Sequence, residues 1–351
     1  MIVPISTVSP HENRVERARR LIEDALQRSR RKSGAHAYRG SVKSWALPPD
    51  TQAFLTELIV LIEPRRIVEF GSGESTLSFA RTCRTQGLGT TLNSFEHDPE
   101  FRDTVTARLQ AEGLDENATV QFAPLVMRKI GDRLLPAYHI GDSDRTGFAQ
   151  LILIDGPPSR LGGREGTLYQ AMEFAESGTV VVLDDAGRDG EVQALLAWQR
   201  DFTDAIDVVR LDGFTREIAA VIVRVPVPLN KLWSRKVESA VSQVLGVAPP
   251  GSSILLADDC AWHVDRDVSG RKFSRFNEIQ SAYNGPPSDS SSAISDIERH
   301  RVATGAFVAF GWPAFWWLDH YAGLGEHLRA TATKVHDSPQ VIVFRLQPPE
   351  S

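Results

Sequence analysis

The chain has 351 residues, 42% of them hydrophobic and 24% charged, with a net charge of −6. The length allows two domains of ~100–200 residues each, and the composition is that of an ordinary globular protein. The acidic balance leaves no surplus of Lys and Arg for phosphates, which argues against a general nucleic-acid binder. The two cysteines, Cys83 and Cys260, lie far apart, so a reducing cytoplasm is expected rather than a disulfide framework. No run reaches the ~18 apolar residues of a membrane span, and the N-terminus lacks the apolar core of a signal peptide.

Residues 11–32 space Val15, Ala18, Leu21, Ile22 and Leu26 among charges, the pattern of an amphipathic helix. Its basic end, Arg28–Lys32, complements the helix dipole, with contact to an acidic substrate or a lipid surface as the other use. After a loop through Ser44, Trp45 and Pro49, Asp50 or Thr51 is expected to cap a helix ending at Ile62. The run Ile67-Val68 then ends in Glu69, and Phe70-Gly71-Ser72-Gly73-Glu74-Ser75-Thr76 opens the next helix. Glycines let the backbone turn sharply and approach a ligand, and the helix aims its unpaired N–H groups at the same spot. This reads as a strand–loop–helix nucleotide site, with a structural glycine turn as the alternative. A dinucleotide fingerprint wants glycine where this chain has Thr76, which counts against a nicotinamide oxidoreductase.

The following strand ends at Glu96-His97-Asp98-Pro99. A carboxylate at the end of a second strand accepts ribose hydroxyls of a bound nucleoside, and Glu96 holds that place; His97 and Asp98 also read as exposed loop. A helix over 99–112 and a strand over 118–123 come next, with the strand's end, Phe122, Ala123 and Pro124, expected near the base of such a nucleoside. Gln150–Ile154 is a continuous apolar run, suited to a strand buried on both faces, and it ends in Asp155-Gly156-Pro157-Pro158. A loop carrying Arg160 and Arg164 and a helix over 167–176 lead to the strand 178–183, closed by Asp184 and Asp185. A helix over 190–201 and an antiparallel pair, 206–211 and 217–224, complete the pattern. Neighbouring parallel strands put Asp155, Asp184 and Asp185 at one edge, where they need protons or a cation; Mg²⁺ suits such oxygen ligands. A direct role on substrate, a helix cap at Asp185 and a turn contact at Asp155 are the other uses.

In order, Glu69-Phe70-Gly71-Ser72-Gly73, Phe95-Glu96-His97-Asp98, Leu153–Pro158 and Leu183-Asp184-Asp185-Ala186 resemble the class I S-adenosylmethionine (SAM) methyltransferases over about residues 45–225. Among these the chain looks like bacterial metal-dependent O-methyltransferases of antibiotic and sugar tailoring. The resemblance implies an α/β fold with a Rossmann-like seven-stranded sheet. It also implies that Gly71, Ser72, Gly73 and Ser75 pass under the methionine part of SAM, with Glu69 near its amino group. Glu96 would take the ribose, with His97 beside it and Ala123 by the adenine. The metal site of catechol-type enzymes maps onto Asp155, Asp184 and Asp185, and the expected catalytic set is Asp155, Asp185 and Arg164. One departure is that no lysine follows Asp155; Arg160 and Arg164 stand there and suit an anionic substrate better than proton removal. His97 and His139 remain as candidate bases.

The expected organisation is an N-terminal helical segment (1–50), a SAM-binding domain (51–228), a helix and linker (229–252) and a smaller α/β domain (253–351). In the last, strands at 253–257, 306–310 and 340–346 and helices at 291–303 and 314–331 are expected, with 263–292 as a loop. Asp258 and Asp259 read as a turn or cap. Trp312–Tyr321 is the densest aromatic stretch, suited to core packing or to stacking on a sugar ring. The sequence therefore predicts a SAM-dependent O-methyltransferase for a small-molecule or sugar acceptor, lined by segment 11–50 and loop 156–166, with oligomerisation left open. The alternative is a binding or scaffolding protein that keeps the fold without turnover in a polysaccharide or secondary-metabolite pathway.

Overall fold

The computed structural model describes residues 10–32, 47–131, 133–145, 147–279, 282–302 and 306–348. The chain divides into two compact units between Leu232 and Trp233. Unit 1 contains α1 (Pro10–Lys32), α2 (Pro49–Ile62), β1 (Arg66–Phe70), α3 (Glu74–Thr85), β2 (Thr91–Glu96), α4 (Pro99–Ala111), β3 (Ala118–Phe122) and the hairpin β4 (Leu125–Ile130) and β5 (Arg133–Tyr138). It continues with β6 (Ala149–Ile154), α5 (Glu165–Ala171), β7 (Ala175–Leu183), α6 (Asp189–Phe202), β8 (Ile206–Leu211) and β9 (Ile218–Val223).

Seven of these strands form one sheet in the order β3-β2-β1-β6-β7-β9-β8, parallel except for β9, which is antiparallel to both neighbours. The apolar runs are continuous because both faces are covered, and successive residues take opposite faces. Leu151, Leu153, Val180 and Val182 pack with Ala18, Ile22, Phe54, Leu58, Leu77 and Val105 of α1 to α4. Ile152, Ile154, Val181 and Leu183 pack with Tyr169, Trp198 and Phe202 of α5 and α6, and with Ile130 and Tyr138 of the hairpin.

Register is what positions the site. Phe95 pairs with Phe70, Phe70 with Ile154, and Ile154 with Leu183. The residues one step further along, Glu96, Gly71, Asp155 and Asp184, therefore form a row at the carboxyl edge. Helix α1 runs alongside β7 towards that edge, from an Arg14–Glu176 ion pair of 3.0 Å to an Arg30 bond of 2.6 Å to the Asp212 carbonyl. Lys32 pairs with Glu57, so two of the basic residues at its end are held within the protein. Residues 33–46 of the expected acceptor-lining segment lie outside the described residues.

Three local expectations are corrected. Helix α2 starts at Pro49 with Pro48 in the cap position and no side-chain cap; Asp50 instead accepts from the Thr51 amide at 2.9 Å and the Thr215 amide at 2.5 Å. Helix α5 ends at Ala171 and β7 begins at Ala175, earlier than expected, because Gly178 (φ +89) lets the strand pass Arg14, whose Cβ would stand 3.0 Å from a Cβ there. The hairpin β4–β5 was not expected. Met127 and Leu134 are 62% and 64% exposed, so no alternation marks it, and Pro136 argues against a strand except in an edge ribbon such as this.

Unit 2 is a smaller α/β body: α7 (Leu232–Val247), β10 (Ser253–Ala257), β11 (Asp267–Val268), β12 (Arg271–Arg275), β13 (Glu278–Ile279), β14 (Ala282–Tyr283), α8 (Ser290–Arg301), β15 (Ala306–Gly311), α9 (Trp316–His320), α10 (Ala322–Thr331), β16 (Ala332–Asp337) and β17 (Val341–Leu346). Its sheet runs β11-β12-β10-β15-β17-β16, with β12, β10 and β15 parallel. Ala240 and Val244 of α7 cover one face; Ile297, Trp317, Leu324 and Leu328 cover the other. The segment 263–292, expected to be loop, contains four short strands, and the helix expected over 314–331 breaks at Tyr321 (φ −93, ψ 80). Among the described residues no helix is long and apolar enough to cross a membrane.

Candidate active site

The loop after β1 is held from three sides. Gly71 donates its N–H to the Phe95 carbonyl at 2.9 Å and has φ +91. A Cβ there would come within 3.3 Å of the Asp155 carbonyl carbon, so only glycine fits between the ends of β2 and β6. Glu96, 3% exposed, receives the Ser72 amide at 2.9 Å, the Ser72 hydroxyl at 3.1 Å and the Asp98 amide at 3.0 Å. Asp98 caps α4, accepting from the Glu100 and Phe101 amides. His97 places Nδ1 2.9 Å from Glu96 Oε1 but out of line for a hydrogen bond. Ala123 is buried and donates its amide to the Glu96 carbonyl at 2.7 Å. Phe122, paired with Glu96 across the strands, and Phe101, 3.8 Å from a Cβ at Gly73, are 46% and 47% exposed. Phe101 was missed in the sequence; its only signal is an apolar residue in a first helical turn with no core partner.

The next strands bring the acids together. Asp155, Asp184 and Asp185 offer ligand atoms within 4.8 Å of one another.

Residues 68–186 match a family model described as "Methyltransferase domain". The seven-strand sheet, with the Glu69–Gly73 loop following its central strand β1, is the α/β arrangement expected from the sequence. No curated protein matches the chain. Among solved structures, an O-methyltransferase from Bacillus cereus in complex with SAH is 16% identical, over 58% of this chain and 90% of that one, with a TM-score of 0.40. The O-methyltransferase TomG from Streptomyces achromogenes is 16% identical, over 58% and 89%, with a TM-score of 0.38. A Podospora anserina methyltransferase bound to SAH is 14% identical, over 64% and 98%, with a TM-score of 0.40.

Within unit 1 Glu69 lies beneath the loop, fully buried, with its carboxyl taking the hydroxyls of Ser75, Thr76 and Ser94. Thr76, where a dinucleotide site would have glycine, also accepts the Gly73 amide at 3.0 Å. Glu69 thus ties β1, the loop, α3 and β2 together. Burial pushes its carboxyl up to about 7, against the pull of the three hydroxyls. The folded chain therefore holds this proton more tightly than the unfolded chain does, and stability falls as pH rises from 4.5 to about 7. Glu69→Gln keeps the shape and removes the charge. Urea unfolding at pH 5 and pH 8 should show a decline shallower than wild type by about 2–3 kcal/mol; equal slopes would show that Glu69 does not titrate there.

Arg164, expected from the sequence to suit an anionic substrate, lies among the acids of the chain itself. It is 5% exposed, and its Nη2 lies 3.0 Å from Asp155 Oδ1 and 3.1 Å from Asp185 Oδ2, with Nη1 on the Asp184 carbonyl. Asp185 adopts φ +55 and also takes Arg188 at 2.8 Å. It does not cap α6, whose cap position is Arg188. Asp184 is buried and its Oδ1 has no hydrogen-bond partner among the described residues. Burial, with the charge of Asp185, raises its carboxyl to about 6; burial also raises Asp155, against the opposing pull of Arg164. Arg160 and His139 are exposed.

Two further groups were not found in the sequence. Glu191 is 2% exposed, with Oε1 3.8 Å from Arg164 Nε, yet in the sequence it reads as an acid favourable at a helix start. Tyr138 comes from the unexpected hairpin; its buried hydroxyl has no hydrogen-bond partner among the described residues and stands 2.1 Å from where a Cβ on Gly156 would be, which explains the glycine after Asp155.

Proposed function

We propose that the domain binds SAM across the Gly71–Gly73 loop and transfers its methyl group to a hydroxyl of a small-molecule or sugar acceptor at Asp155, Asp184 and Asp185. The row Glu96–Gly71–Asp155–Asp184, set by strand register, carries this reading. It puts a ribose-binding carboxylate, a close-approach loop and two acids of raised proton affinity along one edge. In this reading Glu96 takes the ribose hydroxyls, exchanging its Ser72 contacts for them, and Phe101, Phe122 and Ala123 face the adenine. Glu69 acts from below by fixing the loop. Asp184, raised to about 6, has the proton affinity of a general base near neutral pH. Segment 11–50 and loop 156–166 line the acceptor, and the chain from 253 serves specificity, partner binding or assembly. Two free cysteines, Cys83 and Cys260, fit a reducing cytoplasm.

Asp155, Asp184 and Asp185 would also hold a divalent cation such as Mg²⁺. The unpartnered, buried Asp184 Oδ1 and the 4.8 Å spacing support that fit. When bound, such an ion supplies orientation and acidification of a hydroxyl. A second reading is favoured by Arg164, whose Nη2 already bridges Asp155 and Asp185 and makes the guanidinium the resident cation. Calorimetric titration with Mg²⁺, alongside methyl transfer from labelled SAM to a broad acceptor set after exhaustive chelation, separates the two. The metal reading expects saturable Mg²⁺ binding, lost in Asp184→Asn, and no transfer after chelation. Full transfer after chelation with no Mg²⁺ heat assigns the role to Arg164. SAM binding without transfer to any acceptor supports a non-catalytic binding protein instead.

A further inference from the structure

Unit 2 carries a second constellation at the carboxyl edge of its own parallel strands. Strand β10 is flanked by β12 on one side and β15 on the other. The chain leaves β10 for β12 and returns through α8 to β15, so the end of β10 is the point where strand order reverses. In open α/β sheets ligands bind in the crevice at such a point.

The residues placed there are Asp258 and Asp259. Asp258 is spent on the backbone, taking the Cys260 and Trp262 amides at 3.0 Å each; that agrees with the turn role expected from the sequence. Asp259 is different. It is held at φ 49, with Cys260 at φ 58 and His263 at φ 51 close behind, backbone conformations that persist only where the surroundings impose them. Its Oδ2 receives Trp316 Nε1 at 2.9 Å, and its Oδ1 receives Trp317 Nε1 at 3.1 Å and the Tyr283 hydroxyl at 3.2 Å. Trp317 is fully buried against Phe276. Trp316 is 42% exposed, with the His320 ring at 5.4 Å and the Tyr321 ring at 5.9 Å. One carboxylate thus fixes an exposed indole by its N–H edge, leaving the carbon surface of the ring as what solvent meets.

We propose that this Asp259–Trp316–His320 corner of unit 2 binds a neutral sugar ring. An indole pinned by its polar edge is a rigid stacking surface of low entropic cost for the C–H face of a pyranose. Asp259 uses three of its four lone-pair positions on ring donors, which leaves one on Oδ2 for a ligand hydroxyl, with His320 exposed beside the indole. Asp259 and the exposed Asp319 disfavour a phosphate or carboxylate ligand, and a neutral polyol meets no such penalty.

Full-length protein titrated with the methyl glycosides of the common neutral pyranoses and with neutral trisaccharides, read by tryptophan fluorescence and saturation-transfer NMR, tests this. At least one should bind saturably. Trp316→Ala, an exposed position, should weaken that binding by about tenfold or more with unchanged thermal unfolding. Asp259→Asn should weaken it as well. No saturable binding by any of the sugars, or binding that both variants leave intact, overturns the proposal. Because SAM affinity belongs to unit 1 residues, the site stands or falls apart from the methyltransferase reading.

Discussion

Replacing Arg164 with alanine should destabilise the chain by about 3–5 kcal/mol at pH 8, because a buried cation is removed from among carboxylates that stay behind. Arg164 is 5% exposed and bonds Asp155, Asp185 and the Asp184 carbonyl, so water cannot replace it without opening the edge. The loss should shrink as pH falls. Burial already gives Asp184 a folded value of about 6 against 3.8 unburied, so below about 6 the folded chain takes up a proton that relieves the repulsion. The variant should therefore be relatively more stable at pH 5 than at pH 8, and by a wider margin than wild type. Urea denaturation at the two pH values measures both. An equal loss at pH 5 and pH 8 would mean that the three acids are not what Arg164 neutralises.

Removing the Glu96 carboxylate should weaken SAM by about 1–3 kcal/mol, or roughly 5- to 150-fold, through lost charge-assisted hydrogen bonds to the ribose. The same carboxylate takes the Ser72 amide and hydroxyl, so Glu96→Ala also loosens the loop. Glu96→Gln distinguishes the two effects: it keeps an acceptor for the Ser72 amide and should retain the fold while still losing much of the affinity. Isothermal titration with SAM reads both variants. Unchanged affinity in Glu96→Ala would remove Glu96 from the cofactor site.

The sheet of unit 1 was legible because its strands are buried on both faces. Leu151–Ile154 and Val180–Leu183 are apolar at every position, and each ends in an acid that the register then aligns. Motif order was enough to bring Glu96, Gly71, Asp155 and Asp184 to one edge. What the sequence did not carry was the partner of each acid. Arg164 sits in a glycine-rich loop where nothing in the pattern separates a buried guanidinium from an exposed one, and only the fold turns it inward. The β4–β5 hairpin was hidden by exposed Met127 and Leu134 and by Pro136, and Tyr138 was hidden with it. In unit 2, the break at Tyr321 is a matter of tertiary packing: its hydroxyl bonds the Pro287 carbonyl, and its ring packs edge-on to Trp317. Helical periodicity continues through that residue and gives no warning.

The most direct measurement of the central claim is calorimetry of the full chain with SAM, with its product S-adenosylhomocysteine and with NAD. Saturable binding of SAM and S-adenosylhomocysteine at one site per chain, with no heat from NAD, is the expected result. Tight NAD binding without SAM binding would contradict it and would return the Gly71–Gly73 loop to the dinucleotide sites from which Thr76 separates it.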